Sequence, residues 1–184
     1  MEKTRAEALA LLGQHTKSPQ LLKHALAVEA AMRHYAALRG EDLERWGIAG
    51  LLHDMDYELY PSLEDHPYKG VEILRREGYP EDVLQAVMGH GNHTGVARTT
   101  DMAKTLFAVD ELSGLVVAVA LVRPERLDGL EAKSVRKKMK DKAFARGVNR
   151  EDIVQGAEEL GVELDEHIGH VIAALQEARG ELGL

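Results

Sequence analysis

The feature that most constrains this chain is an apolar helix that ends abruptly in a histidine followed by an aspartate. Apolar and small residues run from Trp46 to Leu52, and His53 and Asp54 follow directly. In the middle of a helix adjacent residues point about 100° apart, so two neighbours cannot serve one ion there. At the last turn, where the backbone leaves the helix, they can converge. The pair therefore indicates a metal-binding corner; the alternative is a hydrogen-bonded core histidine beside a solvated carboxylate.

Periodicity and capping residues predict an all-α fold. Helix starts are indicated by Ser18-Pro19, Asp42, Thr99 or Thr100, and Asn149, and helix ends by Gly40, Gly78 and Gly161. The predicted helices span residues 2–12, 19–38, 42–54, 66–78, 80–88, 101–122, 133–146, 149–160 and 165–180. We expect one helical-bundle domain over residues 1–184, with a core at about 19–123 and a C-terminal helical extension at about 124–184.

The composition indicates an intracellular protein with enough apolar residues for a hydrophobic core. Hydrophobic residues make up 45% of the 184 positions, and there is no cysteine, which excludes disulfides and thiolate metal sites. The N-terminus lacks the apolar run of a signal peptide. No segment approaches the roughly 18 uninterrupted apolar residues of a membrane span. We expect a soluble, cytoplasmic protein without a membrane partner; the sequence does not indicate an oligomeric state.

The charge of the chain is unevenly distributed. The net charge is −8, which argues against a long nucleic acid as partner. Residues 133–150 contain eight Lys or Arg and one acid, so this segment carries +7 and the remainder −15. A basic island in an acidic protein predicts a local site for anions, although a solvated helix face is the plainer interpretation.

Three further polar residues interrupt apolar helices. His24 lies among the apolar positions of the helix predicted at 19–38, and Asp110 and Glu111 interrupt the most apolar helix, at 101–122. Because burying an unpaired carboxylate is costly, at least one of these acids should have a partner or a metal. With His53 and Asp54, His24 and Asp110 form a ligand set suited to Fe, Mn, Ni, Zn or Mg, with room for water.

The order and helical context of these residues resemble the HD superfamily of metal-dependent phosphohydrolases. The resemblance covers most of the chain and is carried by three motifs, His24-Ala25-Leu26-Ala27-Val28, Leu51-Leu52-His53-Asp54 and Ala108-Val109-Asp110-Glu111-Leu112. The segment 133–150 is similar to the tail of a bacterial subgroup described as predicted HD hydrolases. The resemblance implies one metal ion held by His24, His53, Asp54 and Asp110.

Three more histidines resemble the additional ligands of two-metal HD enzymes. These are His66, His90 and His93, and the motif His93-Thr94-Gly95 is similar to that of HD-type dinucleoside-tetraphosphate hydrolases. The Gly-Tyr-Pro signature of the cyclic-di-GMP phosphodiesterases is missing, because Gly78-Tyr79-Pro80 stands at the wrong place. The resemblance implies that Asp54 bridges two metals. The alternative is that these histidines bind substrate phosphate or cap helices.

The remaining histidines carry no strong signal. We expect His15 and His34 at solvated helix positions. His167 and His170 share a helix face, which could hold a metal, but no third ligand lies nearby in sequence.

The basic segment offers candidates for binding phosphate. Lys137, Lys138 and Lys140, with Arg123 at the end of the Asp110 helix, could steer and hold a phosphorylated substrate. In a straight helix Lys137 and Lys140 share a face, and we favour that pair.

The sequence therefore predicts a divalent-metal phosphohydrolase acting on a nucleotide, a dinucleotide or another small phosphoester through a metal-activated water. Asp54 is expected to bind metal and orient the water, and His66 or His90 to assist proton transfer if they do not bind metal. The alternative is an HD-fold module that senses a nucleotide without turnover.

Overall fold

The computed structural model describes residues 3–184, and in that range the chain forms ten α-helices and no β-strand. The helices are α1 (Arg5–His15), α2 (Pro19–Arg39), α3 (Leu43–Leu52), α4 (Tyr68–Arg76), α5 (Glu81–Gly89), α6 (Asp101–Leu121), α7 (Ala132–Met139), α8 (Arg150–Leu160), α9 (Leu164–Glu177) and α10 (Arg179–Leu182). A short 3₁₀ turn, Asn92–Thr94, follows α5. The prediction of an all-α fold is confirmed.

Helix ends lie where local chemistry favours them. The side chains of Asp42, Thr100 and Asn149 accept backbone hydrogen bonds from the first turns of α3, α6 and α8. Gly40 and Gly161 end α2 and α8 with φ angles of 71° and 68°, in the left-handed region that glycine enters at little cost.

Three predicted boundaries differ from the structure. The first helix runs from Arg5 to His15, and its predicted start at Glu2 lies outside the described residues. The basic helix α7 ends at Met139 instead of residue 146, and an irregular loop follows it. The last predicted helix is divided, since α9 gives way to the short α10 at Ala178.

The two longest helices, α2 and α6, have 21 residues each and lie at the centre of the packing. Helix α3 packs against α2, and α6 contacts α2, α5, α8 and α9. The buried apolar side chains form one contiguous cluster to which every helix from α1 to α10 contributes. No helix within the described range is long and apolar enough to cross a lipid bilayer.

A close approach between α2 and α3 sets the position of the His-Asp corner. A Cβ atom at Gly50 would lie 2.9 Å from the Val28 carbonyl oxygen and 3.0 Å from the Glu29 Cα. Since no side chain fits there, α3 lies directly on the α2 backbone at this point. His53 follows Gly50 by one turn and His24 precedes Val28 by one turn, so the contact brings the two imidazoles together.

Candidate metal centre

A first cluster of donors joins three helices. His24 of α2 and His53, the residue that follows α3, point their Nε2 atoms at each other across 3.3 Å. The Asp110 Oδ1 atom, from α6, lies 2.9 Å from the His24 Nε2 and 3.3 Å from the His53 Nε2. The Asp54 Oδ2 atom lies 3.5 Å from the His53 Nε2 and 3.9 Å from the His24 Nε2. These four side chains could hold one metal ion.

A second cluster shares Asp54 with the first. The other carboxylate oxygen of Asp54, Oδ1, lies 3.3 Å from the His66 Nε2 and 3.4 Å from the His90 Nε2. The Nε2 atoms of His66 and His90 face each other at 3.2 Å. The donor atoms of Asp54, His66 and His90 lie within 4.8 Å of one another, as do those of His24, His53 and Asp54. Asp54 thus stands between two possible metal positions, with one oxygen toward each.

Hydrogen bonds outside the clusters determine which ring nitrogen faces inward. The Nδ1–H of His53 donates to the Gly50 carbonyl oxygen at 2.7 Å, and that of His90 to the Val87 carbonyl oxygen at 2.5 Å. The Nδ1–H of His66 donates to the Asp56 carboxylate at 2.8 Å. A neutral imidazole with a proton on Nδ1 presents a lone pair at Nε2. Three of the four rings therefore turn a metal-binding lone pair toward the shared carboxylate.

The electrostatics favour positive charge between these donors. Burial disfavours protonation of His53, but the carboxylates of Asp54 and Asp110 outweigh it and hold its pKa well above the usual value. Burial also lowers the pKa of His66, but hydrogen bonds to Asp54 and Asp56 and the charges of these carboxylates outweigh that effect and raise the pKa to about 9. Burial would raise the pKa of Asp54 and Asp110, yet the surrounding histidines lower both. A proton on Nε2 relieves the repulsion between these ring nitrogens and carboxylates, and a divalent ion that displaced the proton would do the same, so the donors present fit divalent metal ions.

The clusters open into a cavity of about 630 Å³. Its walls are formed by His24, Asp54, Tyr57, Leu63, His66, His90, Gly91, Asn92, His93, Phe107, Asp110, Glu111, Asn149, Glu151 and Asp152. Within the described part of the chain, no lysine or arginine belongs to these walls. Burial and the adjacent Asp110 carboxylate raise the pKa of Glu111 to about 7. A second cavity of about 740 Å³, near Arg45, has no histidine in its described walls and does not offer this chemistry.

His93 lies at the cavity but outside both clusters. Its Nε2–H donates to the backbone carbonyl oxygen of His66 at 2.9 Å, and its ring stacks 6.3 Å from the His66 ring. The side chain is exposed, and its Nε2 is occupied by this backbone hydrogen bond. Of the two histidines in the glycine-rich turn, the structure brings His90 and not His93 to Asp54.

The basic residues proposed to bind phosphate do not line the cavity. Arg123 donates to the carbonyl oxygens of Arg126 at 2.7 Å and Asp128 at 3.1 Å, and so braces the turn after α6. The Lys138 ammonium lies over the Phe144 ring, 4.7 Å from its centre. Lys137 on α7 and Lys140 directly after it are exposed, and neither belongs to the described cavity walls.

Asp56 supports the second cluster, although no role for it was predicted from the sequence. This residue is fully buried; its Oδ1 accepts the His66 bond, and its Oδ2 accepts the Gly70 backbone N–H at 2.7 Å. A Cβ at Gly70 would lie 2.9 Å from the Asp56 carboxylate carbon, so the glycine makes room for it. The available signal was a second aspartate two residues after Asp54. The wall residues Asn149, Glu151 and Asp152 carry no such signal, because they come from a distant segment, whereas Glu111 was already marked by its place beside Asp110 in an apolar helix.

Three histidines outside the centre differ from expectation. His15 is half-buried on α1 rather than solvated. His34 is half-buried, with its Nε2 3.2 Å from the His170 Nδ1. His167 is fully buried: its Nε2–H donates to the Ala108 carbonyl oxygen at 2.9 Å, and the Tyr35 hydroxyl donates to its Nδ1 at 2.6 Å. Both nitrogens of His167 are therefore occupied, and it is a structural residue of the core.

Three curated proteins, each named Ribonuclease Y, are similar to part of this chain. Ribonuclease Y of Nitratidesulfovibrio vulgaris strain DP4 is 31% identical over 113 residues, which cover 59% of this chain and 21% of that protein. Ribonuclease Y of Oleidesulfovibrio alaskensis has the same identity over the same length, and that of Cutibacterium acnes is 32% identical over 84 residues, 45% of this chain and 16% of its own. The chain thus spans at most about a fifth of the length of these curated relatives. No solved structure matches it significantly.

A family model described as HD domain matches residues 21–115, just over half of the chain. That stretch contains both clusters, from His24 to Asp110. The chain therefore belongs to the HD domain family.

Proposed function

We propose that this protein is a divalent-metal-dependent phosphohydrolase that acts on a small phosphoester, such as a nucleotide or a dinucleotide. The observation that carries the proposal is the position of Asp54, whose two carboxylate oxygens face two separate pairs of histidines. Such a carboxylate suits a pair of ions, which when bound lower the pKa of a water and polarise a phosphoryl oxygen. A cytoplasmic location completes the proposal, in keeping with a chain that has no cysteine.

Each side chain has a distinct role in this proposal. His24, His53 and Asp110 hold the first ion together with one oxygen of Asp54. His66 and His90 hold the second ion with the other oxygen. If only the first metal position is filled, His66 and His90 are free to transfer a proton beside Asp54. The hydrogen bond from the His66 Nδ1–H to Asp56 leaves the Nε2 of His66 available for this transfer.

Metal analysis tests the ligand assignment directly. We expect two ions per chain in the wild-type protein, one in His66→Ala, and loss of both metal and turnover in Asp54→Ala. His93→Ala is the matched control, because that histidine lines the same cavity but bonds to the backbone, and it should retain two ions. Wild-type and His66→Ala proteins that each bind a single ion would eliminate the second position.

Turnover of metal-reconstituted protein tests the reaction. The panel should contain nucleoside monophosphates, dinucleotides, sugar phosphates and a short RNA. Hydrolysis of one of the small phosphoesters is the expected result. Tight nucleotide binding without product would support the alternative of a sensing module.

The relatives' names favour RNA as a second candidate substrate. They are ribonucleases, and a phosphodiester in RNA presents the same reacting group as a dinucleotide. The acidic walls of the cavity and the net charge of −8 oppose a long polyanion. Faster cleavage of the RNA than of every small phosphoester in the panel would select this candidate.

A further inference from the structure

The cavity lacks the positive side chains that a phosphoester needs. Under the proposed function, on which this inference rests, the walls must accept an anion, yet among their described residues five are acids and none is Lys or Arg. Two divalent ions would offset part of this negative charge. A cation that holds phosphate has to come from a segment beside the walls rather than from the walls themselves.

The loop of residues 141–148, between α7 and α8, lies directly beside the centre. A Cβ placed on Gly114 of α6 would lie 3.8 Å from the His24 Nδ1 and 4.0 Å from the Val148 Cγ2, so Val148 and the His24 ring flank the same point. The next residue, Asn149, lines the cavity, and its backbone N–H donates to the Glu111 carboxylate at 3.1 Å. The loop therefore ends at the wall that carries Asp110.

Specific contacts hold the backbone of this loop in shape. The Arg150 guanidinium donates to the carbonyl oxygens of Ala145 at 2.6 Å and Val148 at 2.8 Å, and it also contacts the carbonyls of Phe144 and Asp141. Ala145 has a φ of 44°, in the left-handed region that costs an alanine free energy. Such strain persists only when the surrounding contacts enforce it.

The side chains of the loop separate into two groups. Phe144, Ala145 and Val148 pack against the apolar core. Lys142 and Arg146 are exposed, and within residues 3–184 their side chains form no hydrogen bond or ion pair. The loop thus presents two free cations from a backbone that is anchored at the cavity.

We propose that Arg146 is the residue that binds the phosphoryl group of the substrate, with Lys142 adding positive charge. Arg146 precedes Val148 by two residues, a backbone span of at most about 7 Å, so its long side chain starts next to the cavity. A guanidinium can bond two phosphate oxygens at once, which suits it better than an ammonium to this task. The lysines of α7 are worse placed, since the Lys138 ammonium lies over the Phe144 ring and Lys137 lies on the helix and not on the loop.

Binding of inorganic phosphate to the metal-reconstituted full-length protein tests this assignment without requiring turnover. By isothermal titration calorimetry, Arg146→Gln should weaken phosphate binding at least about tenfold, the loss expected for one charge-assisted contact. Arg146→Lys should recover part of it. Lys137→Gln, which removes the same charge from an exposed position on α7, should change the affinity less than about twofold. Metal content should be equal in all variants, which verifies that the centre is intact.

Three results would overturn the assignment: a phosphate affinity in Arg146→Gln within twofold of wild type, an equal loss in Lys137→Gln, or a wild-type protein that binds no phosphate.

Steady-state kinetics on the substrate found in the panel separate this inference from the proposed function. Arg146→Gln should raise KM more than it lowers kcat. If the wild-type protein binds phosphate through Arg146 but hydrolyses nothing, the proposed reaction fails and the inference stands. If it hydrolyses substrate with an unchanged KM in Arg146→Gln, the reaction stands and the inference fails.

Discussion

At the scale of single residues, the hydrogen-bond partner that orients a metal ligand matters as much as the ligand itself. Asp56 is fully buried and holds the Nδ1–H of His66, so it keeps the opposite nitrogen directed at Asp54. Replacing Asp56 with asparagine removes the charge that strengthens this bond. We expect Asp56→Asn to weaken binding of the second metal ion by about 10–100-fold and to leave the first ion in place. Competitive metal titration with a chelator measures both affinities.

Asp65→Asn is the matched control for that change. Asp65 belongs to the same loop, its carboxylate accepts a hydrogen bond from the Ser62 hydroxyl at 3.1 Å, and within residues 3–184 it forms no ion pair with a histidine. Its substitution should alter neither metal affinity. If Asp56→Asn weakened both ions equally, the residue would act on the fold and not on His66.

At the scale of helices, the contact between α2 and α3 decides whether the first cluster can form. A methyl group at Gly50 would meet the Val28 carbonyl oxygen at 2.9 Å, and backbone cannot move aside as a flexible side chain can. Gly50→Ala should therefore separate the two helices and destabilise the protein by about 1–3 kcal/mol. We also expect weaker binding of the first ion, since His53 would move away from His24. Urea denaturation and metal titration measure the two effects.

Gly13→Ala is the control for this prediction. Gly13 is exposed on α1, and a Cβ there would meet nothing within 4 Å. Because alanine is the better helix former, this variant should be as stable as wild type or up to about 1 kcal/mol more stable. Gly50→Ala with wild-type stability would mean that the helices can adjust without loss.

At the scale of the whole molecule, the buried His167 makes stability depend on pH. Burial and, to a smaller extent, the charge of His170 lower its pKa from 6.5 to about 4, while its bond to Ala108 opposes the shift. The unfolded chain therefore takes up this proton first as the pH falls. Neutral His167 contributes fully to the free energy of unfolding at pH values above its pKa in the unfolded chain. This contribution is lost on acidification between about pH 6.5 and 4.

His167→Gln should remove that dependence. Between pH 7 and pH 5 the free energy of unfolding of the wild-type protein should fall by about 2 kcal/mol more than that of the variant. Denaturant titrations at both pH values, with metal saturating, give the two differences. His15→Gln, a change at a half-buried histidine of α1, should behave as wild type. Equal pH dependence in wild type and His167→Gln would show that this histidine is not the group that titrates.

The sequence by itself determined the features that depend on near neighbours in the chain. Periodic apolar residues and the caps at Asp42, Thr100 and Asn149 predicted the helices, because capping and helical spacing are satisfied within one or two turns. The same patterns singled out His24 and Asp110 as polar groups on buried helices, since burying them alone would be costly.

Only the tertiary structure decided which side chains meet. It brought His90 rather than His93 to Asp54, while the Nε2–H of His93 donates to the backbone carbonyl oxygen of His66. It also ended α7 at Met139, where Arg150 binds the carbonyls of the following loop in place of helical hydrogen bonds. These outcomes depend on contacts between segments far apart in sequence. Local sequence patterns do not predict the free energies of such contacts.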